Sequence, residues 1–312
     1  MTASQRHANP PPDVTVVIVH HATPAELREC LRRVAATPAS VAREIIVVDN
    51  ATRDFDEAAL HDIDPDIQVI RNPTNVGFAA AANAGLRVAR GRYLLLLNPD
   101  AFVEPDTLSL MVEYMDARPE VGCATPRLVR LDGRLDLACR RSFPTPRRAL
   151  FRLTLVSKLF PRSRKLAQYN LTYLDEHQEA EIDAPCGAFM LVRAEVLEQV
   201  GPLDERYFMY GEDLDWAYRI KQAGWKVMYA PVTTVVHIKR ASSRQYPIRM
   251  TRAFHDSMRI FYREHYHDRY PRWLSFLVYR AIDLREALQV TLIRARSRLR
   301  RSADLRAEWV SS

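Results

Sequence analysis

The chain has 312 residues, a net charge of +7 and four cysteines, a length that suits one large α/β domain with an appendage. Cys30, Cys123, Cys139 and Cys186 are scattered with no C-x-x-C pair, which argues against a disulfide scaffold and a zinc cluster and fits a reducing cytoplasm. No window approaches 18 uninterrupted apolar residues, so a conventional membrane span is not expected, and net +5 of the charge sits in residues 271–312, pointing to an anionic surface.

Residues 1–12 lack the apolar core of a signal peptide and read as a disordered lead. "VTVVIVHHA" (14–22) is a strand buried on both faces. "TPAELRECLRRVAAT" follows as a helix, with Thr23 as N-cap, Pro24 at the first helical position and Leu27, Leu31 and Val34 on one face. "REIIVVDNAT" is a second buried strand and "DIQVIRNPTNVGF" a shorter one. "AAAANAGLRVARG" reads as a helix stopped by Gly91. "RYLLLLNPDAF" is another strand, ended by Pro99, which has no N–H to give a sheet ladder. Strand and helix alternate with short connections, so the sheet is expected to be mostly parallel and doubly wound.

Beyond Asp100 the texture changes. "EPDTLSLMVEYMDARPEVG" is a helix, and "PRLVRLDGRLDLACRR" a hairpin around Asp132 and Gly133. Residues 142–173 mix Pro, Arg and Lys with apolar residues and read as a mobile, partly amphipathic connection. Core texture returns in "APCGAFMLVRAEVLEQVG", then a helix "GEDLDWAYRIKQAG" and a strand "WKVMYAPVTTVVH" ending at His237.

Three strand ends present polar groups: Asp49 with Asn50, Asn75 with Gly77, and Asn98 with Asp100. Such residues are ordinary turn formers, but three sets at one sheet edge make a site where a carboxylate can accept from a nucleobase and Gly admits a phosphate. Glu212, Asp213 and Asp215 crowd the first turn of a helix whose end carries Arg219 and Lys221. Dipole complementarity explains that pattern. The aromatic residues around it (Tyr207, Phe208, Tyr210, Trp216, Tyr218) also offer a partly desolvated cleft, where Asp213 or Glu212 can act as a general base. His237 is either a hydrogen-bonded structural residue or, with Asp100, a ligand for a divalent metal.

In order, "VVDNAT", "NPTNVGFAAAANAGL", "YLLLLNPDAF" and "GAFMLVRAEVLEQVGPLDERYFMYGEDLDWAYRIKQAGWKVMYAPVTTVVH" resemble the inverting glycosyltransferases of family two, most closely the rhamnosyltransferase branch acting on cell-envelope glycans. The resemblance spans about residues 14–243 and implies a GT-A fold, with a nucleotide-binding half over 13–100 and an acceptor-binding half over 101–243; residues 244–312 read from their composition as a helical, basic extension. It implies that Asp49 reads the pyrimidine, with Asn50, Asn75, Gly77, Asn83 and Asn98 shaping the nucleotide-sugar pocket. Asp100 and His237 would hold Mg2+ or Mn2+ on the diphosphate, Asp213 beside Glu212 would be the base, and Gly187 and Ala188 would line the wall between donor sugar and acceptor. The implied donor is dTDP-L-rhamnose and the implied acceptor a polyprenyl-diphosphate-linked sugar, with another donor such as a UDP-sugar as the alternative. Two departures stand out: the first strand ends "VHHA" where relatives often have Asn, and Asn98-Pro99-Asp100 replaces Asp-x-Asp.

"VHHATPAEL" has no glycine, which disfavours a sugar-phosphate nucleotidyltransferase and a Rossmann dinucleotide site. A basic membrane- or nucleic-acid-binding protein is the non-enzymatic alternative. No aromatic-basic recognition motif accompanies the charge, so no nucleic-acid partner is expected. In the tail, Trp273, Phe276, Leu277, Tyr279 and the Arg run from Arg294 to Arg301 suit a helix in the membrane interface, or equally one packed on the core. A cytoplasmic enzyme bound peripherally to the inner face of the plasma membrane is the resulting expectation.

Overall fold

A computed structural model describes residues 11–238 and 246–311, with side chains described as far as residue 297. The first ten residues of the expected lead, Ser243, and the side chains of Arg298, Arg300 and Arg301 lie outside the described residues. The β-branched run of β1 (Val14–His20) lies at the centre of one half-sheet, between β2 (Arg43–Asn50) and β4 (Tyr93–Leu97), with β3 (Gln68–Asn72) outside β2. All pairings among these four strands are parallel, as a run of two-sided burial requires. Helices α1 (Pro24–Ala35), α2 (Ala58–His61) and α3 (Phe78–Leu86) make the connections.

Small residues bring α3 close to the sheet. A Cβ on Gly85 would stand 2.5 Å from a methyl of Val17, so only Gly allows this approach. The helix stops at Leu86, before the expected Gly91, because the chain turns there to bring the Arg90 and Gly91 N–H groups to Thr15 Oγ1. Thr23 sits at the α1 N-cap position, yet its hydroxyl makes no capping bond.

The second half-sheet departs from the parallel pattern. After β5 (Ala101–Phe102), α4 (Thr107–Asp116) and β6 (Val121–Val129), strand β8 (Phe189–Arg193) inserts antiparallel between β4 and β6. Strand β9 (Lys226–His237) pairs parallel with β6 and antiparallel with β5 and the short β7 (Ala180–Glu181). The turn at Asp132 and Gly133 closes on a single antiparallel bridge, Val129 with Leu135. The connection over 142–173 contains two short helices, α5 (Pro146–Leu153) and α6 (Val156–Leu159).

Helix α7 (Ala194–Val200) precedes α8 (Glu212–Gln222), which is anchored by Trp216. That indole is fully buried and donates to the Gly201 carbonyl at 3.0 Å, a burial worth roughly 3 kcal/mol. Helices α9 (Pro247–His265) and α10 (Arg272–Ser311) pack on each other through Arg259 with Asp283 and Glu286, and Tyr262 with Ser275. Tyr207, Tyr218, Phe261, Tyr262 and Tyr266 form a second apolar cluster joining α8 to α9. The extension therefore packs on the α8 side of the domain, while Trp273, Phe276 and Leu277 of α10 stay exposed. Among the described residues, no helix is long and apolar enough to cross a membrane.

Candidate active site

The C-terminal ends of the parallel strands form one edge, where open α/β sheets bind ligands. At the end of β2, the Asp49 carboxylate accepts from the Thr52 N–H at 3.2 Å and has His20 Nδ1 at 3.4 Å and Arg71 Nε at 3.8 Å. Thr23 N–H donates to His20 Nε2, so the ring proton sits on Nδ1 and faces Asp49 and Thr52. Burial holds His20 below the ordinary imidazole range, making it a neutral strut for Asp49. His21 Nδ1 meets the Asn50 carbonyl at 2.8 Å.

Asn50 ties β2 to the next strand end. Its amide nitrogen donates to Asn75 Oδ1 and the Gly77 carbonyl, and its oxygen accepts from Asn72 and the Val76 N–H. Gly77 has φ +92°, and a Cβ there would stand 2.6 Å from the Phe208 carbonyl oxygen, which accepts the neighbouring Phe78 N–H. Both the backbone and the contact require glycine. Asn83 stands apart from this group: buried on α3, it bonds the Leu203 backbone and Glu205 and ties α3 to that segment.

Asn98 and Asp100 follow β4. The Asn98 N–H donates to the Ala188 carbonyl, and the Ile238 N–H to the Asp100 carbonyl, so the turn is clamped from both sides by main chain. Strand β9 pairs His237 with Ala101, which sets His237 Nε2 3.5 Å from Asp100 Oδ1. The other ring nitrogen, Nδ1, lies 3.1 Å from Asp136 Oδ2. A carboxylate beside one imidazole nitrogen, with a second carboxylate fixing the other, is a donor set that suits a divalent cation. Among the described residues no three candidate ligand side chains gather as a cluster, so substrate oxygens would complete the shell, as they do where cations bind with phosphates.

The acidic turn of α8 lies next to this edge. Gly187 N–H donates to Asp213 Oδ2 at 3.0 Å, one residue before the Ala188 carbonyl that holds Asn98. Arg141 donates to the same oxygen at 2.7 Å, and the Leu214 N–H to Oδ1 at 2.8 Å. Arg141 also bonds the Pro185 carbonyl. Glu212 is buried beside Asp213, and its Oε2 has no hydrogen-bond partner among the described residues. Burial, followed by the charge of Asp213, pushes the Glu212 carboxyl up to about 8. At neutral pH Glu212 therefore holds a proton. Asp215 belongs to a separate network, bonded to Arg219 and His265.

That raised value has a measurable consequence. The folded state holds the Glu212 proton up to about pH 8, whereas an unfolded glutamate loses it near about pH 4. Between these values the native state binds more protons, so stability declines as pH rises and is lowest above the folded value. Glu212→Gln should remove the decline, gaining on the wild type by on the order of a few kcal/mol from about pH 5 to about pH 8 in urea melts. Identical pH slopes would show that Glu212 titrates normally.

Three of the five aromatic residues expected around α8 are core residues. Trp216 is in the main core and Tyr207 and Tyr218 are in the second cluster, while Asp213 is held by backbone N–H groups and Arg141. Two residues of the site were not identified in the sequence: Asp136, which holds His237, and Arg141, which holds Asp213. Both follow the Gly133 turn, and nothing in "RLDLACRR" marks them, because their partners are 101 and 72 residues away.

The family described as "Glycosyltransferase like family 2" matches residues 10–255. The N-acetylglucosaminyl-diphospho-decaprenol L-rhamnosyltransferase of Mycobacterium tuberculosis (strain ATCC 25618 / H37Rv) is 28% identical over 273 residues, covering 83% of this chain and 85% of that one. Rhamnosyltransferase WbbL of Escherichia coli (strain K12) is 27% identical over 161 residues, 51% of this chain and 57% of its own. Among solved structures, a mannosyltransferase from Pyrobaculum calidifontis in complex with GDP-Man and Mn2+ aligns with TM-score 0.56 and 19% identity, covering 91% of this chain and 74% of that one. GalNAc-T7 with UDP, GalNAc and Mn2+ aligns with TM-score 0.55 and 18% identity over 74% of this chain, which spans 45% of that protein.

Proposed function

This chain belongs to the family 2-like glycosyltransferases, and from that membership we propose that it moves L-rhamnose from dTDP-L-rhamnose to a polyprenyl-diphosphate-linked sugar, with inversion. It is a glycosyltransferase with a GT-A fold. The transferred sugar and the acceptor are supported by the name of the mycobacterial relative, whose likeness runs along most of both chains. The chemistry rests on one observation. Gly187 and Ala188 bridge the Asp213 carboxylate and the turn carrying Asp100, so an acceptor-side base and a diphosphate-side carboxylate flank a single wall.

Inversion in one displacement needs a base on the acceptor hydroxyl and stabilisation of the departing diphosphate. Asp213 is the base; three hydrogen bonds fix its orientation, while its protonated neighbour Glu212 leaves the pair with a single charge. Asp100 and His237 would hold Mg2+ or Mn2+, which when bound supplies positive charge to the leaving group. Asp136 keeps the His237 ring turned so that Nε2 faces Asp100. On the nucleotide side, Asp49 is steadied by His20 next to Arg71, and Asn50, Asn75 and Gly77 hold the loop open for base and ribose. Asn98 positions the turn, and Asn83 braces α3 behind the pocket.

We assign residues 13–243 to the catalytic domain, divided near Asp100, and residues 244–312 to the extension. A lipid-linked acceptor places the enzyme at the cytoplasmic face of the membrane, with the exposed row of α10 in contact. The direct test incubates the purified protein with polyprenyl-diphosphate N-acetylglucosamine and a panel of dTDP- and UDP-sugars, with Mg2+ or Mn2+, and reads products by mass spectrometry. Transfer from dTDP-L-rhamnose is expected; transfer from a UDP-sugar alone would replace the donor assignment.

A further inference from the structure

Helices α5 and α6 bury none of their residues. Helices this short are marginal in water unless an amphipathic face is covered. Thr145 accepts the Arg148 N–H and Pro146 begins the first turn, so the start of α5 is locally specified. Its outward residues are not those of a solvated helix. Leu150, Leu153, Leu155, Leu159 and Phe160 are all exposed, Leu159 to 73%. The same short segment carries seven Arg and Lys between residues 146 and 165, and no acid occurs before Asp175.

The base of this segment is firmly attached to the catalytic region. Arg141 bonds Asp213, the Phe143 N–H donates to Asp183, and the Phe143 ring lies 4.9 Å from Tyr218 of α8. Arg148 pairs with Asp183, and Arg152 sits over the Tyr169 ring. The remaining apolar and cationic side chains project from a short stalk rooted beside the helix that bears Asp213.

We propose that α5 and α6 are a membrane-docking element that lies in the headgroup layer of an anionic phospholipid bilayer. Aliphatic side chains enter the acyl boundary while Arg and Lys meet lipid phosphates, the division of labour that in-plane amphipathic helices use. An acid-free cationic segment with exposed apolar tips complements a fluid anionic surface, and offers no alternating charge for a folded protein partner. This contact is built on different helices from the row on α10. Its purpose rests on the lipid-linked acceptor proposed above, but its test does not.

The full chain is sedimented with vesicles of phosphatidylcholine alone or mixed equally with phosphatidylglycerol. The wild type is expected to partition onto the anionic vesicles, and Leu153→Glu with Leu159→Glu to lower that partition by about tenfold or more. Replacing Lys158, Arg162, Arg164 and Lys165 with Gln should lower it comparably at low salt and remove much of its salt dependence. Melting temperatures should not change, since the substituted residues are not buried. Failure of the wild type to prefer anionic vesicles, or undiminished binding by either variant, overturns the proposal. Transfer to a water-soluble acceptor should survive Leu153→Glu with Leu159→Glu. If the wild type shows no transfer yet binds vesicles as described, the donor and acceptor reading fails while the docking element stands.

Discussion

Asp213→Asn is expected to lower turnover by about a hundred- to ten-thousand-fold, the range for loss of a positioned general base, with donor affinity unchanged. The separation follows from how Asp213 is connected. It reaches the donor side through the Gly187 N–H, and the next residue holds Asn98 through main chain that the substitution does not touch. Asn keeps the shape but brings an NH2 where the carboxylate accepts from Arg141, Gly187 and Leu214. One of these donors loses its acceptor, which costs on the order of 1–3 kcal/mol and should appear as a lowered melting temperature. Single-turnover rates measured below that temperature, together with calorimetry of donor binding, separate the two effects. Near-normal turnover by Asp213→Asn, with loss in Glu212→Gln, would move the base to Glu212.

How far the sequence foretold this site depends on the range of the interaction. The runs in β1, β2 and β4 announce themselves because burial on both faces leaves the middle of each strand mostly apolar, with β-branched or leucine side chains. Pro99 marks a strand end for a purely local reason, and Gly77 marks a close approach that the Phe208 carbonyl makes visible. The antiparallel entry of β8 between β4 and β6 has no such local sign, since its run of apolar residues reads the same in either direction. Asn83 illustrates the same gap. An amide in an alanine-rich helix near a nucleotide loop looks like a pocket residue, but the helix phase turns it toward Leu203 and Glu205, some 120 residues on. The crowded acids of α8 likewise divide only in three dimensions: Asp215 pairs with Arg219 and His265, while Glu212 and Asp213 face Gly187.

Asp100→Ala should act on the opposite side of the reaction, weakening donor binding by about tenfold to a hundredfold in the presence of Mg2+ or Mn2+. The turn itself should persist, because the bonds that clamp it, Asn98 N–H to Ala188 and Ile238 N–H to Asp100, use main-chain atoms. What is lost is the carboxylate beside His237, leaving an imidazole still held by Asp136 but with no anionic partner for a cation. A lone imidazole is a poor site for a hard cation, which prefers oxygen. Calorimetry with dTDP-L-rhamnose should therefore show a large difference between wild type and Asp100→Ala with the cation, and little difference in chelator. Equal affinities with the cation present would remove Asp100 from the metal site. A loss of the same size in chelator would instead mean that the carboxylate supports the donor pocket directly. The two substitutions thus divide the reaction at the Gly187–Ala188 wall, one changing what the enzyme holds and the other what it does with it.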